Sequence, residues 1–183
     1  MRSMVLEFTK DKNCSYLDKQ YMLGDSFLVA PIFNEESVGE YYLPEGKWTS
    51  FFTGDVYEGG KWYSEKYDYL SLPLMVKENS IIPLGACDDK PDYDYADGVE
   101  LRIYELQEGA RALKTVYGMG GEAELTIKAV RMADTITISV DADKPYTIRL
   151  MNVQVTDVDG AEAIVDGSDT VLKPLSGQIV VKL

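Results

Sequence analysis

The sequence predicts an all-β chain: two consecutive antiparallel β-sandwich domains, entered through a short strand and a helix. Three observations carry this. Short apolar runs recur along the whole chain, each closed by Pro, Gly or Asp instead of continuing with helical periodicity. In the second half those runs alternate strictly between apolar and polar residues, the pattern of strands buried on one face. Between Gly85 and Gly98 the composition shifts to Ala86-Cys87-Asp88-Asp89-Lys90-Pro91-Asp92-Tyr93-Asp94-Tyr95-Ala96-Asp97. This acidic stretch reads as the boundary between sandwiches over 25–85 and 86–183, with 1–24 as a separate entry segment.

The elements follow in order. Met1-Arg2-Ser3-Met4-Val5-Leu6-Glu7-Phe8 reads as a strand with no local pairing mate. A helix is expected over 13–23, with Asn13 capping its start, Tyr16, Leu17, Gln20 and Tyr21 along it, and Gly24 ending it in a left-handed conformation. Phe27-Leu28-Val29-Ala30 then reads as a buried strand closed by Pro31. Strands at 38–43, 47–52, 56–57, 61–63, 70–76 and 80–85 are separated by the turns Pro44-Glu45-Gly46, Thr53-Gly54-Asp55 and Glu58-Gly59-Gly60. Prolines 31, 44, 73 and 83 belong at strand ends or edges, where a missing N–H costs no ladder bond. Beyond Gly98, strands are expected at 100–104, 123–129, 134–140, 145–150 and 178–183.

Bulk chemistry narrows the function. Of 183 residues 45% are hydrophobic and 27% charged, enough apolar material for a sizeable core. Against 31 acidic residues stand 18 basic ones, and the net charge of −13 repels phosphate backbones and anionic lipid. Neither nucleic acid nor membrane is therefore an expected partner. The two cysteines, Cys14 and Cys87, form neither a disulfide framework nor a metal-binding spacing, which points to the cytoplasm. There is no histidine, so imidazole-based triads and histidine metal sites are excluded. No cofactor is expected.

Four ordered blocks carry a family likeness. These are Gln20-Tyr21-Met22-Leu23-Gly24-Asp25-Ser26-Phe27-Leu28-Val29-Ala30-Pro31-Ile32-Phe33, Tyr42-Leu43-Pro44-Glu45-Gly46-Lys47-Trp48-Thr49, Leu70-Ser71-Leu72-Pro73-Leu74 and Asn79-Ser80-Ile81-Ile82-Pro83-Leu84-Gly85. Together they resemble the C-terminal part of glycoside hydrolase family 31, most of all its bacterial α-xylosidases. The likeness continues more loosely through Pro91-Asp92-Tyr93 and Leu150-Met151-Asn152-Val153. It implies that 1–24 is the last strand and helix of a (β/α)8 catalytic barrel. It also implies a parent enzyme that hydrolyses terminal α-linked xylose or glucose with retention. No position here matches the family's nucleophilic or acid–base Asp motif, so no catalytic, cofactor-binding or metal residue is assigned. The implied partners are the parent's barrel and, through the barrel-facing surface, a second copy of the chain.

A retaining glycosidase needs two carboxyl groups about 5 Å apart. The only local cluster, Asp88, Asp89, Asp92, Asp94 and Asp97, is expected to be a solvated linker. An EF-hand pattern fails there, because counting back from Gly98 puts Tyr93 and Tyr95 where acids are needed. Asp157-Val158-Asp159-Gly160 is expected to be a hairpin turn. Trp48 and Trp62 are expected to pack in the core or against a neighbouring domain, with sugar stacking as the alternative and Lys61 as a neighbouring cation. Two other readings stay open: an autonomous carbohydrate-binding module, and a self-contained hydrolase working through Asp92 and its neighbours.

Overall fold

The structure, a computed structural model, describes residues 1–183 and divides into two compact units, Met1–Glu78 and Asn79–Leu183. Almost every regular element is a strand, and no helix is long and apolar enough to cross a membrane.

The first unit contains β1 (Arg2–Ser3), α1 (Met4–Glu7), a 3-10 helix (Lys12–Tyr16), β2 (Tyr21–Leu23), β3 (Phe27–Val29), β4 (Val38–Leu43), β5 (Lys47–Ser50), β6 (Val56–Glu58), β7 (Lys61–Lys66) and β8 (Leu74–Lys77). Six of the strands form one sheet in the order β1-β2-β3-β8-β5-β6, and β4 and β7 form a separate two-stranded ribbon. Across the sheet Met22 pairs with Leu28 and Leu28 with Met75. These side chains, with Met4, Trp48, Tyr41 and Leu43, make the core between sheet and ribbon.

The expected strand over 1–8 shrinks to Arg2–Ser3, paired with Tyr21 and Met22 of β2, and the expected helix over 13–23 does not form. Met4 and Phe8 lie one turn apart and both turn inward: Met4 is fully buried, and the Phe8 ring lies 6.2 Å from that of Trp48. That spacing suits the single helical turn α1. Residues 21–23 instead pair with β3 as a hairpin. Gly24 is left-handed (φ +63°), but it turns the hairpin and does not cap a helix. Tyr16-Leu17 and Gln20-Tyr21 have helical spacing, yet Tyr16 is 93% exposed and Met22 fully buried. Period-two pairing with β3 overrides local periodicity here. Residues 1–24 thus fold onto the first unit as part of its sheet and core.

Gly59 marks a close chain crossing between β6 and β7. A Cβ there would fall 1.9 Å from the Pro44 carbonyl oxygen, so only glycine lets the two strands part into sheet and ribbon.

The second unit contains β9 (Ser80–Leu84), β10 (Val99–Tyr104), β11 (Arg111–Tyr117), β12 (Ala123–Met132), β13 (Thr135–Ala142), β14 (Tyr146–Leu150), β15 (Asp157–Asp159), β16 (Ala161–Asp166), β17 (Asp169–Pro174) and β18 (Gln178–Lys182). They form two five-stranded sheets, β16-β17-β14-β10-β9 and β11-β12-β13-β18-β15. The alternating residues Leu101, Ile103, Leu125, Ile127, Ile136, Ile138, Ile148 and Ile179 fill the core.

Three expectations change in this unit. The boundary moves upstream from Gly85, because β9 pairs antiparallel with β10 and sends Ile81 into the second core. Residues 86–97 are then a loop joining neighbouring strands of one sheet. Pro83 sits in β9, an edge strand, where its missing donor is harmless. The sandwich is also not wholly antiparallel: β10 and β14 run parallel, linked by a crossover through β11–β13 in the facing sheet. Finally, Asp157–Asp159 is a strand paired with β18 and not a hairpin turn, since β15 and β16 lie in different sheets.

The parallel pair sets Arg102 beside Arg149. Glu100 bridges these like charges, accepting from Arg102 Nε at 2.7 Å and Arg149 Nε at 3.3 Å. Arg149 also reaches Asp166 at 2.8 Å and Asp169 at 3.3 Å.

Candidate functional site

The first unit carries a cleft of about 640 Å³. The chain segment 7–13, the aromatic ring of Tyr42, Pro44, Glu45 and Gly60 line it. Its floor is rigid for a local reason. Gln20, 5% exposed, presents its side-chain amide to the backbone of Tyr42 as another strand would. Tyr42 N–H donates to Gln20 Oε1 and Gln20 Nε2 donates to the Tyr42 carbonyl, both at 2.8 Å. Tyr42 O–H donates to Asp11 Oδ2 at 2.8 Å, and burial raises its phenol pKa. The other Asp11 oxygen accepts from Asn13 N–H at 3.0 Å and caps the 3-10 helix. Asp11 therefore ties that helix to the ribbon.

On the ribbon's inner face three phenols converge on one carboxylate. Tyr41 and Tyr67 donate to Glu65 Oε2 at 2.7 and 2.8 Å, and Tyr57 donates to Oε1 at 3.2 Å. Burial and the Glu65 charge push the Tyr57 phenol up to about 12. Burial raises the Tyr41 and Tyr67 phenols as well. Three O–H donors on one carboxylate tie β4, β6 and the end of β7 together.

The two tryptophans have opposite environments. Trp48 is fully buried and donates its indole N–H to the Pro44 carbonyl at 2.8 Å, which makes it core. Trp62 is 59% exposed and rests on Tyr42 with ring centroids 5.5 Å apart. Trp62 is therefore not core of this unit: it lies on the outer face of a two-stranded ribbon, open to a ligand or to a neighbouring domain. Gln20 and Asp11, which build the cleft, carried no separate sequence signal, since their roles need β4 folded beside them.

The acidic residues remain dispersed. Asp88, Asp89, Asp92, Asp94 and Asp97 are all exposed. Asp94 meets Lys144 at 2.7 Å, and that hydrogen bond holds its carboxyl below the ordinary value. Lys144 also meets Glu124 at 2.7 Å. Asp89 accepts from the Cys87 thiol at 2.8 Å, and Asp157 faces Lys182 at 3.5 Å. Nowhere do three or more Cys, Asp or Glu side chains gather as a metal site. Cys14 and Cys87 are both free thiols, Cys14 buried and Cys87 partly exposed. Within the cleft, Glu7 pairs with Arg2 at 3.1 Å and Asp11 is held as described.

Two family models match the chain: the glycosyl hydrolase family 31 C-terminal domain over residues 1–82, and the alpha-xylosidase YicI C-terminal domain over 94–183. An alpha-xylosidase of Lactiplantibacillus pentosus, XylQ, is 36% identical over 167 residues, covering 87% of this chain but 22% of its own length. An alpha-xylosidase of Emericella nidulans is 39% identical over 111 residues, covering 56% of this chain and 14% of its own length. Among solved structures, a family 31 alpha-xylosidase from Xanthomonas citri superposes on 82% of the chain with TM-score 0.67 and 26% identity, over 18% of its own length. A family 31 dextranase from Flavobacterium johnsoniae covers the whole chain with TM-score 0.81 at 22% identity, over 29% of its own length, a likeness of fold. The chain thus spans between 14% and 29% of the length of these proteins.

Proposed function

This chain belongs to glycoside hydrolase family 31, as its C-terminal region, and from that premise we propose that it is the non-catalytic part of an α-xylosidase. The complete enzyme removes terminal α-linked xylose or glucose with retention, through a covalent intermediate on an aspartate carried elsewhere in the larger protein. One observation carries this reading: 87% of the chain aligns at 36% identity with 22% of an α-xylosidase. The cleft chemistry supports it, since Glu7 and Asp11 are engaged by Arg2, Tyr42 and Asn13.

The role is to buttress a catalytic barrel. Met1, Leu6 and Tyr16 are largely exposed near the start of the chain and offer an apolar surface for it. Covering a patch of a few hundred Å² is worth on the order of 10 kcal/mol at ~25 cal/mol per Å². The same surface, left bare, pairs two copies of the chain. The free thiols and acidic charge suit a reducing, cytoplasmic setting.

The purified chain is expected to release no aglycone from aryl α-xylosides or α-glucosides. Co-expression with a family 31 α-xylosidase lacking this region is expected to restore folded, active enzyme. Turnover by the chain alone that scales with protein, survives re-purification and disappears in Asp92→Asn would overturn the non-catalytic reading.

A further inference from the structure

The apolar surface assigned above to the barrel, Met1, Leu6 and Tyr16, includes neither Trp62 nor Tyr42. We propose that the exposed face of Trp62 and the adjoining cleft hold neutral pyranose units of an oligosaccharide, an accessory glycan site on the outer face of the β4–β7 ribbon. The proposal rests on the reading that the complete protein acts on glycans.

Three observations converge. The first is a preformed aromatic platform. Trp62 leaves more than half its surface to water while its ring leans on Tyr42 at 5.5 Å with a 50° tilt. Tyr42 is itself immobilised by Gln20 and Asp11. Little ordering cost remains when a ring stacks there. The second is size and continuity. Tyr42 both supports Trp62 and lines the cleft, whose roughly 640 Å³ falls within the range of small-molecule sites. The third is charge. Glu7, Asp11 and Glu45 are nearly balanced by Lys10 and Lys12, in a chain whose net charge is −13. Such a lining concentrates neither the cations that hold a phosphate nor the carboxylates that hold a metal. It does present donors and acceptors side by side, as hydroxyl groups require, next to an aromatic face that takes the C–H side of a sugar ring.

The test is isothermal titration of the full 183-residue chain with a xyloglucan heptasaccharide and with maltotriose, and with sorbitol as an acyclic polyol. Saturable one-to-one binding of at least one oligosaccharide is expected, without saturable binding of sorbitol. Trp62→Ala should weaken it at least tenfold, Trp62→Phe should retain part of it, and Lys10→Ala or Glu45→Ala should weaken it severalfold. Unchanged circular dichroism and urea midpoints in these variants would establish that the fold persists. No saturable heat with either oligosaccharide, sorbitol binding as tightly as maltotriose, or Trp62→Ala titrating like the parent would each overturn the proposal. None of those outcomes touches the co-expression result, so this site and the family role fail separately.

Discussion

Replacing Gln20 with Met removes one side-chain amide and keeps the volume and shape of the side chain. In the native chain that amide satisfies both the N–H and the C=O of Tyr42, at 2.8 Å each, in a region closed to solvent. Gln20→Met therefore strands two buried backbone groups at once. Each costs about 1–3 kcal/mol when left unpaired, so the first unit should lose about 2–6 kcal/mol. For a domain of this size, a loss of ~3 kcal/mol lowers the melting temperature by on the order of 10–20 °C. Both tryptophans, Trp48 and Trp62, belong to the first unit, so fluorescence-monitored urea unfolding reads its stability directly. Gln20→Glu sharpens the test. A carboxylate still accepts from Tyr42 N–H but opposes its carbonyl, and protonation restores the donor. Burial raises the folded pKa of such a group, so its contribution is complete below the unfolded value of about 4.3 and fades as pH rises through the folded value. Relative to the parent, Gln20→Glu should be weakest at neutral pH and recover on acidification. A Gln20→Met chain with the parent's urea midpoint would show that the amide is dispensable and that the cleft floor is held some other way.

Three further outcomes are expected. Thr49 is fully buried in β5 and its hydroxyl has no hydrogen-bond partner. Thr49→Val should raise stability by about 1 kcal/mol in the same urea assay, and a loss would mean the hydroxyl is satisfied in solution. Burial, then the Asp11 charge, pushes the Cys14 thiol up to about 11 from 9.0, so Ellman's reagent at pH 8 should modify Cys87 quickly and Cys14 only on unfolding. By linkage, the folded state should also lose stability as pH rises from 9 through 11. Asp94 should titrate below an ordinary aspartate by carboxyl NMR and return towards it in Lys144→Met, because the Lys144 hydrogen bond is the main cause of its depression. What little stability that pair supplies is present above the unfolded pKa and lost as pH falls through the folded one.

The strands of the second half were legible because alternation is a local property. Ile136, Ile138 and Val140 point inward wherever the strand is placed, and only one face of it can be buried. The same holds for turns that glycine must make, such as Gly46 and Gly60 at positive φ. The lack of imidazole chemistry was legible too, since no fold can supply a histidine the chain lacks. Long-range pairing was not. Residues 21–23 carry a helical spacing, and only β3 lying alongside turns them into a strand. Ile81 and Ile82 precede the acidic stretch in sequence, yet β10 draws them into the unit that follows it. The dipeptides Lys47-Trp48 and Lys61-Trp62 show the limit most directly. They are identical in composition and both begin strands. β5 is flanked by β8 and β6 and turns Trp48 into the core between sheet and ribbon, whereas β7 pairs with β4 alone and leaves Trp62 on the outer face. One tryptophan is core and the other is the candidate sugar platform. That difference is set by the neighbours each strand acquires on folding, which no stretch of sequence around either residue encodes.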